Sequence, residues 1–199
     1  DDEKQCIPSQ QSSSYPKYWK NNQNTDYAKG LFVDINLAEN EAINVINIFN
    51  KTLSNYTIKK IEGVQNGNLW AKHCKSKTSL LKSNGGNVNE KYLFHATSEE
   101  IMNIIVTEGF RKEFTHKGRY GKGTYVVRDA SRSERYAVKT SAGYYKMFCC
   151  KVLCGDMSVG NKDITLRTWP KKSNGLIYDS LVDNTSNPST YVIHDDARM

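Results

Sequence analysis

His95 ends the apolar run Tyr92-Leu93-Phe94 and stands immediately before a helix N-terminus, signalled by Thr97 and by Glu100 three positions on. Backbone N–H groups and an imidazole at such a junction can together hold the polar or anionic atoms of a ligand. A second cluster follows in Gly121-Lys122-Gly123-Thr124-Tyr125 and Ser131-Arg132-Ser133-Glu134-Arg135-Tyr136. Glycines allow close backbone approach, and two tyrosines with a serine supply flat faces and a hydroxyl, a set suited to a planar aromatic amide. Read from the residues alone, His95 also fits a structural histidine, and Tyr125 and Tyr136 also fit core aromatics. His73, His116 and His194 have polar neighbours in sequence and read as surface residues.

The common catalytic signatures are absent. No Walker A sequence, His-Glu-x-x-His or Gly-x-Ser-x-Gly occurs, and Gly118-x-x-Gly121-x-Gly123 has the wrong spacing for the dinucleotide fingerprint. The five cysteines include no C-x-x-C pair, and Cys149, Cys150 and Cys154 share a strand-like segment on which neighbours face opposite ways. That pattern fits reduced, idle thiols and no zinc site.

The elements that must carry these residues are partly written in the periodicity. Ala42, Val45, Ile46, Phe49 and Leu53 repeat at helical spacing behind Asn36 and Glu39, which reads as a capping arrangement. Tyr56 to Val64 reads as a strand, Gln65-Asn66-Gly67 breaks it, and Leu69-Trp70 opens a second helix that stops at Ser83-Asn84-Gly85-Gly86-Asn87. Ile101, Ile104 and Ile105 mark a third helix, closed by Gly109. Arg111 to Arg119 is aperiodic and polar, hence a surface loop; Thr124 to Val127 is a strand and Ala130 to Val138 a short helix. Strands are expected at Met147 to Leu153, Ile177 to Val182 and Tyr191 to His194, giving an α+β domain whose second half is mostly sheet.

Length and composition fit one such domain: 199 residues, 38% hydrophobic, 25% charged, with 21 aromatic side chains. The net charge of +7 favours anionic partners such as nucleotides or nucleic acid, although the lysines form no single block. No apolar run approaches a membrane span, and Asp1-Asp2-Glu3-Lys4 lacks the pattern of a secretion signal. Residues 1–14, rich in Gln and Ser, have linker composition, which suggests further domains upstream; the folded domain is expected to run from 15 to 199.

Tyr92-Leu93-Phe94-His95-Ala96-Thr97-Ser98, Gly109-Phe110, Tyr120-Gly121-Lys122-Gly123-Thr124-Tyr125 and Asp129-Ala130-Ser131-Arg132-Ser133 resemble the catalytic domain of the poly(ADP-ribose) polymerase family. The resemblance extends from Tyr15-Pro16-x-x-Trp19 through Lys60-Ile61-Glu62-x-Val64-Gln65-Asn66 to Asn187-Pro188-Ser189-x-Tyr191-Val192-Ile193. It is strongest to the branch holding mono-ADP-ribosyltransferases and the zinc-finger antiviral protein. It implies a split antiparallel β-sheet with flanking helices that binds NAD without a Rossmann fold. It also implies site roles. His95 would bond a ribose hydroxyl, the Ala96 backbone and the Ser133 hydroxyl would hold the nicotinamide amide, and Tyr136 would stack on the ring with Tyr125 opposite. Thr97 would help hold the adenosine end, and Arg111 to Tyr120 would cover the donor. The catalytic set would be His95, Tyr125 and Thr190.

Polymer-forming members carry glutamate where Thr190 stands, so the resemblance implies transfer of a single ADP-ribose unit from NAD to acceptor proteins, with no metal. The alternative it leaves is a silent relative serving as a protein-interaction module, because Ala96 replaces a family glycine and would be strained if that backbone has positive φ. The family continues with a final strand where this sequence stops at Met199, so either the sequence is truncated or that strand is missing. A monomer is expected, cytoplasmic or nuclear, off membranes, and meeting nucleic acid only through domains outside this chain.

Overall fold

The computed structural model describes Tyr15, Pro16, Trp19 and residues 30–199 apart from His116. The expected linker, Cys6 and His116 lie outside the described residues.

A two-stranded antiparallel ladder comes first, β1 (Leu31–Ile35) on β2 (Ile61–Gln65), in the register Leu31↔Gln65 to Ile35↔Ile61. β1 was not expected from the sequence. β2 is shorter than the run from Tyr56, because its partner offers only five residues to pair with. Between them lies α1 (Asn40–Asn50), whose expected cap is corrected. The Asn36 side chain accepts from the Ala38 N–H at 3.0 Å, forming a turn, and Glu39 occupies the N-cap position without a side-chain bond.

α2 (Gly67–Ser83) is capped by Asn66, whose side-chain oxygen accepts from the Asn68 and Leu69 N–H groups, each at 3.1 Å. The other end of that amide donates to the Val106 and Thr107 carbonyls at 2.9 and 3.0 Å. Those carbonyls lie in the last turn of α3 (Glu99–Glu108), so one buried side chain satisfies backbone groups at the ends of two helices. Tyr15 stacks on Trp19 at 4.9 Å, and Trp19 packs on Trp70 at 6.0 Å, against the opening of α2.

The main sheet has six strands in the order β7-β3-β6-β10-β9-β8. These are β3 (Glu90–His95), β6 (Thr124–Val127), β7 (Phe148–Leu153), β8 (Met157–Val159), β9 (Ser180–Val182) and β10 (Thr190–Ile193). Pairing is antiparallel except at the edge, where β8 and β9 run parallel, a departure from the purely antiparallel expectation. The loop expected at 111–119 contains a 3-10 turn, Lys112–Phe114, and the first strand of a small hairpin, β4 (Lys117–Gly118) with β5 (Gly121–Lys122). α4 is confined to Ala130–Glu134, and a 3-10 turn at Asp196–Arg198 ends the chain.

One core gathers Leu93, Val126, Val152, Tyr191 and Ile193. Another packs Phe94 and Ala130 against Phe49 and Leu53, while Val192, Leu181 and Trp169 enclose a third beside Tyr125. The four residues of β10 are all buried, as a central strand requires.

Candidate functional site

His95 is the last residue of β3, paired with Phe148 of β7, three residues before the N-cap Ser98 of α3. The cap thus falls one residue beyond the expected Thr97. The imidazole Nδ1 lies 2.8 Å from the backbone oxygen of Tyr125. A carbonyl can only accept, so Nδ1 carries the proton, and in the neutral ring Nε2 is left as an acceptor. Burial lowers the His95 pKa, outweighing the opposing effect of the carbonyl, which keeps the ring neutral at neutral pH. Phe110 meets the ring edge-on at 5.1 Å and in turn packs on Phe148.

Tyr125 fixes the neighbouring hairpin as well as the histidine. Its hydroxyl accepts from the Tyr120 N–H at 3.0 Å and donates to the Gly121 carbonyl at 2.8 Å. Gly118 lies so close beneath the phenol that a Cβ there would meet it at 2.5 Å, so this position needs glycine for space. On its other side the hairpin is held by the Lys122 N–H on the Ile164 carbonyl at 3.0 Å. Burial raises the pKa of the half-buried phenol.

Thr190 opens β10 opposite Val127, and Val192 opposes Tyr125, so Thr190 and Tyr125 belong to one sheet face. Phe94 also opposes Val127, which continues that row across three strands. Thr190 is buried, and among the described residues its hydroxyl has no hydrogen-bond partner. Asp183 holds the strand start by accepting from the Ser189 and Thr190 N–H groups at 2.9 and 3.1 Å, and from the Ser189 hydroxyl.

Ser133 is buried on α4, which packs on β3 and β6, and Tyr136 follows it with its ring 71% exposed. Ala96 is buried, and Asn89 is the only non-glycine of positive φ among the described residues. Ala96 therefore carries no left-handed strain, and the condition that would have penalised its methyl group is not met. The structure thus unites His95, Tyr125 and Thr190 on three adjacent strands and ties Tyr120 to Tyr125. Ser133 lies on α4, which packs on β3 and β6, Tyr136 follows that helix, and Thr97 precedes the α3 cap.

Cavities of about 270 and 420 Å³ lie toward α2 and the chain end; none of Tyr125, Thr190, Ser133 and Tyr136 lines them. Among the described residues no group of three or more His, Cys, Asp or Glu is placed to hold a metal. Two expected surface histidines are corrected. His73 is buried, stacked on Trp70 and 3.4 Å from Glu90, and His194 lies edge-on to Trp169 at 4.6 Å. Reasoning from sequence also missed Asp183, which looks like an ordinary turn residue, and the packing role of Gly118.

A histidine held by a strand carbonyl, a tyrosine clasping a glycine-rich hairpin, and an open aromatic after a short helix are placed by one mixed sheet. Residues 39–198 match the poly(ADP-ribose) polymerase catalytic domain, and the chain belongs to that family. Among curated relatives it is 35% identical over 185 residues to the protein mono-ADP-ribosyltransferase PARP12 of Homo sapiens, covering 90% of this chain and 26% of that protein. The human protein mono-ADP-ribosyltransferase PARP11 is 33% identical over 204 residues, covering 90% of this chain and 59% of its own length. The human protein mono-ADP-ribosyltransferase PARP14 is 29% identical over 182 residues, covering 89% of the chain and 10% of that protein. The chain thus spans about a quarter of the length of PARP12 and under two thirds of PARP11.

Proposed function

We propose that this chain is an NAD-dependent protein mono-ADP-ribosyltransferase domain that releases nicotinamide and transfers one ADP-ribose unit to a protein side chain. The observation that carries the reading is Thr190, an uncharged, buried residue that opens β10 opposite Val127, on the sheet face of Tyr125. The relatives named above, all mono-ADP-ribosyltransferases, support it.

In this reading the Nε2 of His95 accepts from a ribose hydroxyl, which its neutral tautomer allows, and the backbone of Ala96 and the hydroxyl of Ser133 hold the nicotinamide amide. The exposed ring of Tyr136 stacks on nicotinamide, Tyr125 lies opposite, and Thr97 helps hold the adenosine end. The hairpin bearing Tyr120 covers the donor. Cleavage of the nicotinamide–ribose bond develops positive charge at the sugar carbon, so rate rests on orientation and on polar groups preset around that carbon. With threonine at 190 no carboxylate is available to activate a further ADP-ribose, and transfer stops at one unit. No metal takes part. The silent-relative alternative is disfavoured by the intact His95–Tyr125 bond and the unstrained Ala96. The free thiols of Cys149, Cys150 and Cys154 support a reducing compartment, cytoplasmic or nuclear.

Labelled NAD with mass spectrometry of the modified protein tests the reading. Single-unit label is expected, with His95→Ala lowering it at least about a hundredfold. Oligomeric ADP-ribose on the parent chain, or NAD binding undetectable by calorimetry, would refute it.

A further inference from the structure

The chain's excess of positive charge is greatest in one segment beside its site, although α2 also carries Lys72, Lys75, Lys77 and Lys82. Residues 117–146 hold eight Lys or Arg against two Asp or Glu, a net +6 of the chain's +7, leaving 20 basic and 19 acidic residues everywhere else. This segment comprises the β4–β5 hairpin, β6, α4 and the turn that leads into β7.

Three of the eight cations are spent on the fold itself. Arg128 bonds Asp129 at 2.9 Å and Asn187 at 2.6 Å, Arg132 reaches Asp183 at 3.7 Å, and Lys146 pairs with Glu99 at 2.5 Å. The remaining five, Lys117, Arg119, Lys122, Arg135 and Lys139, make no ion pair among the described residues. Four of them are exposed, and Lys122 is half-buried. Arg119 and Lys139 lie over the rings of Tyr120 and Tyr145, at 5.6 and 5.9 Å, which holds their positions without neutralising them.

Their placement is fixed by contacts to the site. The hairpin bearing Lys117, Arg119 and Lys122 is clasped by the Tyr125 hydroxyl. Arg135 directly precedes the exposed Tyr136. Lys139 lies on the turn bridged by Lys139↔Tyr145, and the Lys146–Glu99 pair ties the far end of that turn to the start of α3, four residues after His95.

We propose that this cationic rim is the docking surface of the acceptor and that it selects acidic protein segments. The proposal rests on the transferase reading given above. Cations around a site whose own side chains are uncharged steer an anionic chain toward it and disfavour a basic one, with an effect that salt weakens. A protein is the favoured anion because the relatives named above are protein transferases, and the five free cations divide between the β4–β5 hairpin, which bears three, and the stretch after α4, which bears two.

The test uses the whole chain with three labelled probes of equal length: a glutamate-rich peptide, its glutamine counterpart and a single-stranded RNA. Anisotropy is read at low and at physiological salt. The glutamate peptide should bind more tightly than the other two and weaken with salt. Arg135→Glu combined with Lys139→Glu should weaken it by roughly tenfold or more, with the melting temperature and the NAD affinity unchanged. Modification of that peptide should then show a raised acceptor KM at an unchanged NAD KM. Equal binding of the glutamate and glutamine peptides, indifference to the charge reversal, or tighter binding of RNA would each overturn the proposal. NAD calorimetry on the same samples separates the two readings: lost NAD binding beside intact, charge-dependent peptide binding strikes the transferase reading and leaves the rim as an acidic-segment surface.

Discussion

The two polar centres of the sheet are built on opposite terms. At the β8–β9 edge, the buried carboxylate of Asp179 accepts from Asn84 at 2.7 Å, from the Asp156 N–H at 2.8 Å and from Lys172 at 3.3 Å, while Arg198 reaches its other oxygen at 3.0 Å. Burial would raise its pKa, but these partners outweigh burial and lower it. Gly155 lies against the same carboxylate with φ +54°, where a Cβ would come within 2.4 Å. Around β3, β6 and β10, by contrast, and among the described residues, Thr190 keeps a buried hydroxyl unpartnered, Tyr136 is exposed, and five of the eight rim cations make no ion pair. The first centre commits both oxygens of its carboxylate to closing the fold, and the second holds capacity in reserve, as a site that must receive a ligand does.

The largest effect should come from the saturated centre. Asp179→Asn leaves Lys172 and Arg198 without their shared counter-charge and is expected to remove about 3–5 kcal/mol of stability. Urea unfolding should show this as a lower midpoint at unchanged slope, and a change under about 1 kcal/mol would erase the contrast. At the open centre the same kind of loss should fall on function. Tyr125→Phe frees the hairpin from the hydroxyl and should raise the NAD KM by roughly tenfold, from two lost hydrogen bonds, while kcat holds. A fall in kcat at constant KM would instead place the hydroxyl at the reacting atoms.

A smaller effect follows from His95. Because burial depresses its pKa below the ordinary 6.5, the folded ring stays neutral at pH 6.5 and gains its proton only at lower pH. NAD affinity by calorimetry should therefore be flat above pH 6.5 and decline on further acidification, when Nε2 becomes a donor. The linked stability runs the same way: the unfolded chain binds this proton first, so His95 costs no stability above 6.5 and destabilises the fold increasingly as pH falls toward its folded pKa. An affinity that rises on acidification would contradict the acceptor role. The smallest effect is expected for Ala96→Gly, within about 0.5 kcal/mol in both stability and NAD binding. A tenfold gain in affinity would show that the methyl group obstructs the site.

What could be read from the sequence follows from how local each signal is. β6 and β10 are short β-branched and aromatic runs, and the Gly109 cap has φ +84°, so neighbours in sequence decide them. β8 is three residues between Gly155 and Gly160, and only its parallel pairing with β9 makes it a strand. His73 was misread for the same reason. It lies with Lys77 and Leu80 on the buried side of α2, a spacing visible in the sequence, but the Glu90 that receives His73 and Lys77 comes from β3. At the site, His95, Tyr125, Ser133 and Tyr136 stood out by residue type and by their glycine-rich or helix-start settings. The Tyr125 carbonyl on His95 and the register of Thr190 with Val127 depend on strand pairing, which no local spacing encodes.

Tyr125 serves two masters through one rigid unit: its carbonyl sets the proton on His95, and its hydroxyl grips the hairpin. Hairpin closure and imidazole orientation then share a coupling free energy, and such coupling is reciprocal. Whatever holds the hairpin on the Tyr125 hydroxyl also steadies the carbonyl that places the neutral ring's proton on Nδ1, and loosening the hairpin frees the imidazole to take its other tautomer. Hairpin order and imidazole tautomer become two readings of a single equilibrium.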